Sequence, residues 1–139
     1  TQQYVSADPF YLLSNERDQL LGRVNPYSTI VRPNLLNQKK DAPIVLVHGV
    51  GLNHTIWEPQ IDAFDNSVLA YDILGHGKTP LNNDNISFDN FSNQLIDLID
   101  ELKMKKIHLI GFSIGSLIAR NFASKFNDRL ESLTLLCSI

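Results

Sequence analysis

A chain of 139 residues with 43% apolar side chains has the length of one ordinary domain and enough apolar mass for a packed core, which excludes a disordered tract. Twelve basic against fifteen acidic residues leave a net charge of −3, and the bases form no stripe beyond the pairs Lys39-Lys40 and Lys105-Lys106, which argues against a nucleic-acid partner. No apolar run reaches the ~20 residues of a membrane-spanning helix, and one cysteine, Cys137, rules out an internal disulfide or a thiolate metal cluster.

In chain order, Thr1-Gln2-Gln3-Tyr4 lacks the basic and then apolar signature of a signal peptide. The absence of an initiating methionine leaves a removed targeting segment open. Phe10 to Leu13 and Ser28 to Arg32 are candidate strands, with Asn25-Pro26 as a turn between them. Asn34 to Asp41 reads as a polar connector. Residues 1–42 therefore read as N-terminal strands and connector, and residues 43–139 as a regular β/α core.

Ile44-Val45-Leu46-Val47 is a continuous apolar run, which predicts a strand covered on both faces, as in a parallel sheet. Val68 to Tyr71, Ile107 to Ile110 and Leu133 to Cys137 are further runs of this kind, the last expected to be interior with Cys137 in the core. A single buried cysteine also fits a reducing, cytoplasmic compartment. Helical patterns alternate with the strands. A short helix is expected from Trp57 to Phe64 with Pro59 in its first turn. Phe88, Phe91, Leu95, Leu98 and Leu102 line one helix face behind an N-cap at Ser87, and Ile114, Ile118, Phe122 and Phe126 line another. The alternation predicts an α/β class, a doubly wound and mostly parallel sheet whose ligands bind beyond the carboxyl ends of the strands.

The residues with chemistry fall at those ends. Gly111-Phe112-Ser113-Ile114-Gly115 stands between a buried strand and an amphipathic helix, the setting a nucleophile elbow needs. Such a turn strains the serine backbone and demands small neighbours, which Gly111, Gly115 and Ser116 provide. His48-Gly49-Val50-Gly51 follows the strand Ile44 to Val47 and reads as an oxyanion loop. Acyl transfer places negative charge on a carbonyl oxygen, and fixed backbone donors must meet it. The N–H groups of Ile114 and Val50 are the expected pair, with Ser113 as nucleophile.

These segments, with Trp57 and Asp72-Ile73-Leu74-Gly75-His76-Gly77-Lys78-Thr79 between them, resemble the α/β-hydrolase superfamily over residues 43 to 139. Order and spacing are similar to those of its small esterases, enol-lactonases and carbon–carbon bond hydrolases. Leu74 stands where many members carry arginine or proline, and Thr79 where serine is frequent. The resemblance implies a mostly parallel eight-stranded sheet, of which this chain would hold the N-terminal part and lack the C-terminal side. It implies no cofactor and no metal. A serine at position 113 points to an ester, thioester, lactone or activated carbon–carbon bond of a small acyl substrate. Some serine-bearing relatives are hydroxynitrile lyases or cofactor-free haloperoxidases.

Rival readings fit less well. Gly75 to Thr79 superficially matches the end of a phosphate-binding loop, but Asp72 occupies the position of its first glycine and Pro80 stands where the helix would begin. Gly49, Gly51 and His54 miss the third glycine of the dinucleotide fingerprint. His48 and His54 have no partner at zincin-like spacing, His76 belongs in a turn where it orients backbone, and His108 belongs inside a strand.

One element is missing. In the superfamily the chain order is serine, acid, histidine, yet no histidine follows Ser113, and Asp128 and Glu131 fall between helix and strand. The chain is then either part of a longer enzyme, with acid and histidine downstream, or a noncatalytic binding or interaction module. As an isolated piece it is expected to be inactive and to self-associate through its last strand.

Overall fold

The computed structural model describes residues 29–32, 41–81 and 86–138. The candidate strand Phe10 to Leu13 and the turn Asn25-Pro26 lie outside them, as does most of the connector Asn34 to Asp41. Among the described residues five strands form one sheet: β1 (Thr29–Arg32), β2 (Ile44–Val47), β3 (Val68–Tyr71), β4 (Ile107–Phe112) and β5 (Leu130–Leu136). Their spatial order is β1-β3-β2-β4-β5, with β1 antiparallel to β3 and every other pairing parallel.

Among the described residues the α-helices are α1 (Glu58–Ile61), α2 (Phe88–Glu101) and α3 (Ile114–Lys125). A 3₁₀ turn, His54–Trp57, leads into α1, with Pro59 in the first turn where its missing N–H costs no bond. The helix ends at Ile61, earlier than the expected Phe64, which packs against its cluster from outside the helix. Ser87 caps α2: its Oγ accepts from the Asn90 amide at 3.0 Å.

Both faces of the sheet are used. Val45, Val47, Leu69 and Tyr71 bury one face against Phe91, Leu95 and Ile99 of α2 and Ile118 and Phe122 of α3. Ile44, Leu46, Val68 and Ala70 bury the other against Trp57 and Ile61. That is why β2 and β3 are continuous apolar runs: neither has a water-facing side.

The last strand departs from expectation. It begins at Leu130, so Glu131 lies inside the strand rather than between helix and strand. Among the described residues it pairs with β4 alone, and Leu133, Leu135 and Leu136 are exposed. Cys137 is exposed as well, at φ 50° just past the strand, where no described element covers it. An apolar run reports what a strand is suited to bury; whether it is buried depends on a neighbour.

Candidate active site

The site is built where β2, β3 and β4 end side by side. β4 runs into Ser113, whose backbone sits at φ 57°, ψ −119°, and α3 starts at the next residue. A side chain in that region is strained, by roughly 1–3 kcal/mol, and the surroundings hold it there. The Ser113 amide donates to Leu136 O at 2.9 Å, and its carbonyl accepts from the Ser116 amide and Oγ, at 2.9 and 2.5 Å. Although Ser113 occupies the N-cap position of α3, its hydroxyl makes no capping bond. The contrast with Ser87 is chemical: one hydroxyl is spent on its helix, the other is not.

The flanking glycines are required by contact. A methyl group on Gly111 would collide with the carbonyl of Gly115 and come within 2.8 Å of Ser116 Cα. One on Gly115 would meet the Val47 and His48 carbonyls, the latter at 2.7 Å. All of these are backbone atoms, which cannot rotate aside. The elbow and the end of β2 therefore pack main chain against main chain. This brings Gly49 to the serine: a Cβ there would lie 3.3 Å from Ser113 Cβ. Val50 follows on the exposed tip of the turn and Gly51 adopts φ 75°. The structure thus joins Gly111, Ser113 and Gly115 to His48 and Gly49, with Val50 and Ile114 next in chain on either side.

His48 is fully buried and both ring nitrogens are engaged. Nε2 accepts from the Ile73 amide at 3.1 Å, so Nδ1 carries the proton and donates to Gly49 O at 2.7 Å. Burial holds its pKa below the ordinary 6.5, with His76 and His54 acting in the same direction against the Gly49 bond and Asp72. The imidazole is a neutral strut between two strand ends.

Sequence reasoning missed a second strut. Asp72 is 1% exposed, and its Oδ1 accepts from the His54 amide at 2.8 Å and from His54 Nδ1 at 2.7 Å. Its Oδ2 accepts from the Lys78 amide at 3.0 Å. Burial works to raise the Asp72 pKa, but the bonds from His54 and Lys78 outweigh it and hold the carboxyl below its usual value. Gln94 of α2 ties the same turn down, donating to Asp72 O at 2.9 Å and accepting from the Leu74 amide at 3.0 Å. His76 Nδ1 donates to Leu74 O at 3.1 Å, which makes it the backbone-orienting residue expected of it. His108 is half-buried in β4 with Nδ1 2.6 Å from Ser132 Oγ. Among the described residues no group of three or more histidine, cysteine or acidic side chains is placed to hold a metal ion.

Chemically, the arrangement presents an uncapped serine hydroxyl on a strained turn, beside a glycine-rich loop held by buried bonds. The sequence profile of the alpha/beta hydrolase fold matches residues 42–139. The dihydrolipoyllysine-residue acetyltransferase component of an acetoin cleaving system from Pseudomonas putida is 35% identical over 98 residues, 69% of this chain and 26% of that protein. The 3-oxoadipate enol-lactonase 1 of Acinetobacter baylyi is 33% identical over 87 residues, 60% of this chain and 32% of that one. Among solved structures, a meta-cleavage product hydrolase from Pseudomonas fluorescens superimposes with a TM-score of 0.68 at 24% identity, over 79% of this chain and 42% of that one. The chain thus spans about a third or less of the length of these two curated relatives.

Proposed function

The chain belongs to the alpha/beta hydrolase fold family, and from that premise we propose that it carries the nucleophile of a serine hydrolase. Ser113 attacks the acyl carbon of an ester, thioester, lactone or activated carbon–carbon bond. The amides of Val50 and Ile114 hold the oxyanion, the leaving group departs, and water releases the acyl-enzyme. The base that takes the Ser113 proton, and the carboxylate that orients it, come from outside these 139 residues. The substrate is a small acyl compound.

The observation that carries this reading is the backbone of Ser113 at φ 57° between β4 and α3, with its hydroxyl not spent on a cap. No described helix is long and apolar enough to cross a membrane.

A fluorophosphonate probe applied to the complete protein tests the reading. Ser113 becomes labelled, and Ser113→Ala lowers ester or lactone turnover by roughly 10⁴-fold or more with the fold intact. Labelling that survives Ser113→Ala would sink the assignment. No labelling and no turnover would favour a noncatalytic binding module.

A further inference from the structure

We propose that His54 is a positioning residue: through Asp72 it fixes the far end of the loop that presents the Val50 amide. This rests on the reading of Val50 as an oxyanion donor. Residues 49–53 have little to hold them from within, since Gly51 has open space around it and the loop's internal backbone bond runs from the Leu52 amide to Gly49 O at 3.2 Å. Val50 itself is 62% exposed, so packing does not fix it.

The loop is instead suspended between two histidines. At its near end His48 accepts from the Ile73 amide. At its far end His54 donates twice to Asp72 Oδ1. Both anchors therefore land on consecutive residues, Asp72 and Ile73, where β3 ends beside β2. That landing is rigid because Lys78 N–H and the Gln94 side chain hold Asp72 and Leu74 from other directions.

The two anchors are unequal. The His48 bond joins neutral groups, whereas the His54 bonds meet a buried carboxylate and are charge-assisted. Without the imidazole the far end keeps only the bond from the His54 backbone amide to Asp72, and the loop's glycines let the Val50 amide wander. An oxyanion donor acts on charge that develops in the transition state, so a wandering donor lowers kcat rather than weakening substrate binding.

The test uses His54→Ala and His54→Asn in the complete protein. Asparagine places its amide nitrogen near the position of Nδ1, so it keeps the bond to Asp72. His54→Ala is expected to lower kcat about ten-fold or more with KM little changed. In ¹H–¹⁵N spectra the amide signals of residues 50–52 shift and broaden while those of β4 stay in place. His54→Asn restores both. Unmoved loop signals in His54→Ala, an effect confined to KM, or equal damage in His54→Asn would each overturn the proposal. If wild-type protein shows no turnover that Ser113→Ala removes, the hydrolase reading fails instead, and the amide signals alone decide whether His54 holds the loop. Should His54→Ala not fold, His54→Asn with wild-type spectra and Asp72→Asn with displaced loop signals make the same decision.

Discussion

A histidine that accepts a hydrogen bond at one ring nitrogen while donating from the other can do so only when neutral. His48 is in that position, and burial holds its pKa below 6.5. The sign of the pH dependence follows. As pH falls through 6.5 the unfolded chain takes up a proton that the folded chain refuses, so stability declines from there down to the folded pKa. Asp72 adds a second window: its lowered pKa contributes stability above 3.8 that is lost as pH falls through the folded value. Thermal melts are therefore expected to drop between pH 7 and 5, and His48→Gln should flatten that slope while lowering the pH 7 midpoint. A slope unchanged by His48→Gln would place the proton uptake elsewhere. At this scale the sequence is legible where partners are neighbours in the chain. Gly111, Ser113 and Gly115 declare the elbow because each constrains a residue two positions away. His54 and Asp72 stand 18 residues apart and meet only because β2 and β3 end side by side, so no local pattern announces them.

At the scale of elements, two serines in equivalent positions do different things. Ser87 caps α2 and Ser113 stands before α3 without capping it. Ser87→Ala should cost about 1 kcal/mol of stability, whereas Ser113→Ala should leave the melting temperature nearly unchanged. Chemical denaturation of the two variants in parallel reads the difference, and an equal loss would mean that the Ser113 hydroxyl is structural. The elements themselves were largely visible as periodicity. β2 and β3 match their apolar runs end to end because burial on both faces selects every residue. α2 begins where Ser87 predicts it. The start of β5 is hidden because Glu131 and Ser132 are polar; Leu130 pairs with Ile107 and Ser132 with His108 on β4, and the register shift between them passes over Glu131. Backbone hydrogen bonds leave no mark on composition.

At the scale of the whole molecule, the four histidines decide what these 139 residues do alone. His48 spends both nitrogens on Gly49 and Ile73, and His54, His76 and His108 direct Nδ1 to Asp72, Leu74 and Ser132. None hydrogen-bonds Ser113, and a serine without a base keeps the reactivity of an alcohol. Residues 1–139 should hydrolyse p-nitrophenyl acetate no faster than their Ser113→Ala variant. The sheet makes an independent demand. β5 pairs on one side only among the described residues, and it exposes Leu133, Leu135 and Leu136 with Glu131 as its single charge. An apolar edge with so little charge is a template for another strand. The isolated chain should therefore scatter light as an associating species in a concentration-dependent way. Leu135→Lys, which places a charge on that edge, should return it toward a monomer without altering α2 or α3. Association that persists unchanged in Leu135→Lys would move the contact to another surface, and a wild-type chain that stays monomeric would show that β5 is protected by residues outside those described. Either result can be read separately from the esterase assay, because an unpaired edge and a missing base are different defects.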